Sequence, residues 1–237
     1  MNRQAQAVVL LLVGGSVLRA SLTDMYLRYV KHGLRPLLVI AGVLLVATAV
    51  MTLWYEFRGT PAEDPHDHGH DHAHEPRVAW LLILPAFALL LVSPPALGSY
   101  AAGRSGTALT QPSDFPPLPA GDPAAISVLD YASRAVFDQG RSIGDRRVRF
   151  SGFIVANPDG HLYLARMVLT CCAADARPIK VGLTGQVPGA LKPDTWLEVT
   201  GTYTAKSDRD SVNGEMIPYL DVSDSHQIPA PSEQYVT

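Results

Sequence analysis

Residues 147–170 read Arg-Val-Arg-Phe-Ser-Gly-Phe-Ile-Val-Ala-Asn-Pro-Asp-Gly-His-Leu-Tyr-Leu-Ala-Arg-Met-Val-Leu-Thr. Apolar side chains recur at every second position from Val148, which is the period of a pleated strand with one face buried. Asn157-Pro158-Asp159-Gly160 then supplies turn chemistry, and residues 161–170 give a second strand. The same pattern returns at 178–184, 196–205 and 216–222. Gly152 and Gly201 fall inside strands, where glycine marks bends at the corners of small closed sheets. Five short strands in this space predict a small OB-like β-barrel, with an open sandwich as the competing layout.

Upstream of the strands the period changes. Ile126, Leu129, Ala132, Ala135 and Val136 lie at helical spacing, so residues 123–137 predict one short amphipathic helix, with Asp122 as its N-cap and Pro123 at its first position. Residues 98–122 are rich in Gly, Ser, Thr and Pro and read as an extended tether. The expected soluble domain is therefore 123–237. Residues 122–237 carry eleven basic and fourteen acidic side chains, which leaves no electrostatic footprint for nucleic acid. The chain has two cysteines, and they are adjacent, which excludes a disulfide framework.

Residues 1–97 differ in kind. Residues 36–55 are uncharged over 20 positions, enough to cross a hydrocarbon core about 30 Å thick, and end on Trp54 and Tyr55 as interfacial aromatics. Residues 78–97 form a second uncharged stretch of the same length, with Trp80 near its start and a tolerable Pro85. Residues 5–18 are a shorter apolar run, extended to about 5–23 if Arg19 snorkels; Gly14 and Gly15 suit close helix packing. Three transmembrane helices are expected in a multi-pass cell-membrane protein whose environment is the lipid bilayer. Arg19, Arg28, Lys31 and Arg35 crowd the first connection, while the second, 56–77, holds only Arg58 and Arg77 among several acids. The distribution of basic residues places the first connection and the tail in the cytoplasm and the second connection outside.

That second connection contains Pro65-His66-Asp67-His68-Gly69-His70-Asp71-His72-Ala73-His74-Glu75. Five imidazoles with interleaved carboxylates suit Zn²⁺ or another divalent transition metal without needing a folded scaffold; a solvated His-rich linker is the alternative. A second concentration of polar chemistry follows the second strand: Thr170-Cys171-Cys172-Ala173-Ala174-Asp175. Thiolates select soft metals, and Asp175 is near enough to complete a site. Successive side chains of an extended chain point apart, so the two thiols do not easily share one ion; thiolates serving different partners, a strained vicinal disulfide and plain core packing stay open. Arg166 and Arg177 could lower a thiol pKa, which leaves a thiol enzyme as a third class of function.

With two close apolar segments, a His-rich connection, a third apolar segment and then a strand running into Thr170-Cys-Cys-Ala-Ala-Asp-Ala176 and Pro178, the chain resembles the DUF1980 family of membrane proteins, described as permease subunits. Trp196-Leu-Glu-Val-Thr-Gly201 and the end from Ile228-Pro-Ala-Pro231 to Tyr235 carry the resemblance to the C-terminus. It implies a partner, a multi-pass permease of the ArsP-like type; taken with the His-rich stretch, this predicts a non-enzymatic accessory role linked to transition-metal transport or sensing. A membrane-anchored protein-interaction module without a transport role is the alternative.

Overall fold

The computed structural model describes residues 3–58, 95–156, 161–189 and 191–236. They fall into two compact units, one of Met1–Tyr26 with His32–Pro95, the other of Leu27–Lys31 with Ala96–Thr237. The His-rich stretch and residues 78–94 lie outside the described residues.

In the first unit, helix α1 (Arg3–Leu22) packs antiparallel on α2 (Arg35–Arg58). Small residues let the backbones approach. A Cβ on Gly14 would meet Val46 Cγ2 at 2.9 Å, and one on Gly42 would meet Leu18 Cγ at 2.8 Å. Gly15, expected to share this role, has nothing within 4 Å. At the helix ends Arg35 Nε donates to the Ser21 carbonyl at 2.9 Å. Leu37, Ile40, Val43, Leu44 and Met51 stay exposed along α2. α2 is long and apolar enough to cross a membrane by length and composition; the apolar part of α1, Gln6–Leu22, is shorter. Of the three expected spans, the described residues thus contain one that meets this test.

The second unit is built on strands β2 (Val148–Ala156), β3 (Leu162–Val168), β4 (Arg177–Gly185), β5 (Trp196–Arg209) and β6 (Met216–Gln227). β2 pairs antiparallel with both β3 and β5, β3 with β4, β5 with β6, and β4 runs parallel to β6. The ring closes into a five-stranded barrel. Gly152 and Gly201 sit where the walls come closest: a Cβ at Gly152 would lie 2.6 Å from the Ala165 carbonyl oxygen, and one at Gly201 2.2 Å from that of Asp221. Ile154, Leu164, Ile179, Val181, Leu197, Val199, Leu220 and Val222 fill the interior. The helix preceding the barrel (Val128–Phe137, α4 below) adds Val128, Tyr131, Ala132 and Ala135 to that core. Tyr131 stacks on Phe150 with ring centroids 5.0 Å apart and donates its hydroxyl to the Tyr219 carbonyl.

Two expectations upstream of the barrel need correction. The helix does not begin at Pro123 with Asp122 as its cap. Asp122 forms a two-pronged ion pair with Arg147 at 3.0 and 2.9 Å, which draws Ala124–Ala125 alongside β2 as the short parallel strand β1. Ser127 is the N-cap, accepting from Asp130 N at 2.9 Å. The stretch 98–122, expected as a tether, instead belongs to the barrel unit. It carries helix α3 (Ser99–Arg104), whose Ala102 is fully buried; the helix at Val128–Phe137 is therefore α4. Polar anchors hold the rest of the stretch, which its composition does not reveal. The guanidinium of buried Arg134 binds Asp130 and the Pro116 carbonyl and lies over the Phe115 ring, while Arg146 takes the carbonyls of Pro119 and Gly121.

The deepest anchor is ionic. Lys180 Nζ lies 2.8 Å from Asp210 Oδ2, with side chains 5% and 1% exposed. Asp210 also accepts from Thr107 N at 2.8 Å and Val212 N at 2.9 Å, and Thr107 Oγ1 accepts from Lys180 N at 3.2 Å. Burial alone would push the Asp210 carboxyl up; the Lys180 ammonium and the two amides outweigh it and hold the carboxyl below its ordinary value. Lys180→Met leaves a buried carboxylate uncompensated and is expected to lower the unfolding free energy of the barrel by about 3–5 kcal/mol, read by urea denaturation at pH 7. Because the Asp210 pKa is depressed, the wild-type contribution is complete above the ordinary carboxylate range and fades as pH falls through the lowered value, so the gap between the two proteins narrows in acid.

Candidate metal centre

β3 ends at Val168 and β4 begins at Arg177, and between them lies the thiol loop. Cys172 is extended (φ −150°, ψ 172°), and Ala173–Asp175 then form one 3-10 turn. That turn brings the Asp175 carboxylate back under the residues preceding it. Oδ1 accepts from Thr170 N at 2.8 Å; Oδ2 accepts from Cys171 N at 2.8 Å and from Cys172 N at 3.2 Å. The Cys171 thiol donates to the same Oδ2 at 2.8 Å. Adjacent thiols in a straight strand would diverge; gathered by this carboxylate they converge instead. One ligand atom from each of Cys171, Cys172 and Asp175 lies within 4.8 Å of the others, and among the described residues this is the group of His, Cys, Asp and Glu that could hold an ion. Both cysteines are free thiols, Cys171 exposed and Cys172 half-buried.

The electrostatics follow from the hydrogen bonds. The Cys171 thiol donor and the Thr170 amide lead in holding the Asp175 carboxyl down, to about 2. The Asp175 carboxylate, and after it the Cys172 side chain, push the Cys171 thiol up to about 11. This reverses the expectation that neighbouring arginines would activate a thiolate. Arg166 points elsewhere: its guanidinium binds the carbonyls of Glu233 and Gln234 and lies over the Trp196 ring, 5.2 Å from its centroid. The loop as it stands stores a proton between sulfur and carboxylate, and a thiophilic cation of suitable size could take that proton's place.

Two chain segments that sequence reasoning missed brace the loop. β7 (Tyr235–Val236) adds parallel to the end of β3, and Leu169 N donates to the Val236 carbonyl at 3.1 Å. Residues Leu27–Lys31 lie along the other side: Val30 forms an antiparallel bridge with Cys172, Ala173 N donates to the Tyr29 carbonyl at 2.7 Å, and Lys31 N donates to the Cys171 carbonyl at 3.1 Å. Tyr235, 4% exposed, ties these parts together. Its hydroxyl donates to the Arg28 carbonyl and accepts from Leu97 N, each at 2.9 Å. A tyrosine in a polar, Pro-rich end was the one signal available for this role. His66, His68, His70, His72 and His74 lie outside the described residues.

The Cys171 environment sets its reactivity. An ordinary thiol titrates near about 8.5. Since the raised Cys171 value suppresses the thiolate at pH 8, removing the carboxylate charge restores it. In a Cys172→Ser background, Asp175→Asn should speed iodoacetamide alkylation of Cys171 at pH 8 by about tenfold or more, measured by mass spectrometry. An unchanged rate would mean that Asp175 does not govern the thiol.

Residues 136–237, which span the end of α4, the whole barrel, the thiol loop and β7, match the family model of the DUF1980 C-terminal domain. No curated protein and no solved structure matches the chain. The barrel with its Asp175-gathered cysteines is thus the part of the chain that matches the DUF1980 C-terminal domain.

Proposed function

We propose that this protein is a membrane-anchored accessory subunit of a permease, and that its barrel carries a site for a thiophilic divalent cation such as Zn²⁺ at Cys171, Cys172 and Asp175. The observation that carries the reading is the convergence of two thiols and a carboxylate within 4.8 Å. Two thiolates and one carboxylate oxygen make a donor set suited to tetrahedral Zn²⁺, with a fourth position left for water or a partner's ligand. Binding would release two protons to solvent, the one that Cys171 directs at Asp175 and the one on Cys172, while the amides of residues 170–172 keep the carboxylate oriented. That preorganisation favours holding and sensing an ion over turning over a substrate.

The permease half rests on the chain's membrane anchor and on the family resemblance. α2 is uncharged from Pro36 to Tyr55. Such a helix offers lipid contact but no polar lining for a transport path. A separate multi-pass protein, of the ArsP-like type implied by the resemblance, would supply that path. The five histidines of the His-rich stretch add a second source of affinity for the same class of ion. The distribution of basic residues favours a cytoplasmic barrel and an external His-rich connection.

Changing His66, His68, His70, His72 and His74 to Ala isolates the barrel site in the full-length protein purified in mild detergent. This variant is expected to retain one tightly bound Zn²⁺ per chain, and adding Cys171→Ser and Cys172→Ser to abolish it, as measured by elemental analysis after dialysis. Unchanged zinc in the cysteine variant would overturn the metal assignment. A multi-pass permease should copurify with the tagged wild-type protein from native membranes; recovery of soluble proteins alone would replace the permease reading with a plain interaction module.

A further inference from the structure

Hydrogen bonds inside the barrel unit constrain how the chain is threaded through a membrane. Leu27–Lys31 is held on the thiol loop by the Tyr29 and Lys31 backbone bonds to Ala173 and Cys171. Arg28 is held to Tyr235 Oη, and the same oxygen accepts from Leu97 N. Arg28 follows the last residue of α1, Leu22, by six positions, and Lys31 precedes the first residue of α2, Arg35, by four. Fully extended, six residues reach about 20 Å and four about 14 Å, both short of a hydrocarbon core about 30 Å thick. Neither link can pass through a bilayer. The end of α1 and the start of α2 therefore emerge on the face that carries the barrel. So does Leu97, the last residue of the uncharged stretch 78–97.

We infer that the chain crosses the bilayer an even number of times between Lys31 and Leu97, with α2 as one crossing and a return ahead of Leu97. The barrel and the first connection then share one face, and the end of α2 at Arg58 lies on the other. Tyr235 is the pin of this arrangement, because one buried hydroxyl joins a residue from the first connection to Leu97, which follows the return. The inference uses no count of charged residues and so stands apart from the positive-inside argument.

The test is cysteine accessibility in the full-length protein in intact cells. The background is Cys171→Ser with Cys172→Ser; the bracing bonds to Leu27–Lys31 use main-chain atoms, so this background keeps them. Single cysteines are placed at exposed Asp24, at Ala62 and at exposed Gly189, and labelling by an impermeant maleimide is expressed as a fraction of labelling after permeabilisation. Asp24→Cys and Gly189→Cys are expected to fall in one class and Ala62→Cys in the other, separated about tenfold. Asp24→Cys and Gly189→Cys in different classes would overturn the shared face, and all three in one class would overturn the two crossings. The readout needs no metal, so loss of zinc binding with an intact labelling pattern would remove the metal reading alone.

Discussion

Strand β2 has to serve two neighbours, and the rest of the tail depends on how it does so. Its first part, Val148 to Phe153, pairs with β5, and its last part, Phe153 to Ala156, pairs with β3. A strand can change partners in this way only by bending sharply inward. Gly152 is the residue that permits it, since any Cβ there would strike the Ala165 carbonyl and the Leu164 side chain. Once β2 has closed the ring, β3 and β4 are fixed as neighbours and the connection between them emerges at a barrel end. That connection is the thiol loop. Its position is thus inherited from a glycine about twenty residues earlier.

Asp175 does for the loop what Gly152 does for the barrel. A carboxylate that accepts three main-chain amides and a thiol is fixed in place, and the loop wraps around it. The cost appears as a suppressed thiolate: the charge that shapes the loop also keeps Cys171 protonated. This combination opposes nucleophilic thiol chemistry at Cys171, and on the proposed metal reading a bound cation would take the place of the thiol proton. The same loop is braced by residues Leu27–Lys31, so the cysteines and the connection between α1 and α2 are joined by backbone hydrogen bonds.

Much of the barrel was legible in the sequence because period-two alternation is a direct consequence of burying one face of a strand. All five barrel strands lie where the alternation placed them. β5 and β6 run on past it, through Lys206–Arg209 and Ser223–Gln227, because main-chain pairing continues after side chains cease to be buried. β1 and β7 have two residues each, too few to show any period. The start of α4 was misplaced because the Arg147 ion pair claimed Asp122, a long-range contact that local capping rules do not contain. The packing of residues 98–122 was missed for a related reason: its anchors, Arg134, Arg146 and the Lys180–Asp210 pair, lie elsewhere in the chain. For the candidate site, Cys171, Cys172 and Asp175 were identifiable as residue types. Their convergence was not, since it requires a 3-10 turn that folds a side chain back onto preceding amides.

X-ray absorption at the zinc edge of the zinc-loaded full-length protein tests the central claim most directly, because sulfur and imidazole scatterers are distinguishable in one spectrum. The account predicts two sulfur ligands at about 2.3 Å with the remaining positions filled by oxygen, at one equivalent of zinc per chain. A first shell of nitrogen and oxygen without sulfur would contradict it and would leave the cysteines of the DUF1980 barrel without a role in holding the ion.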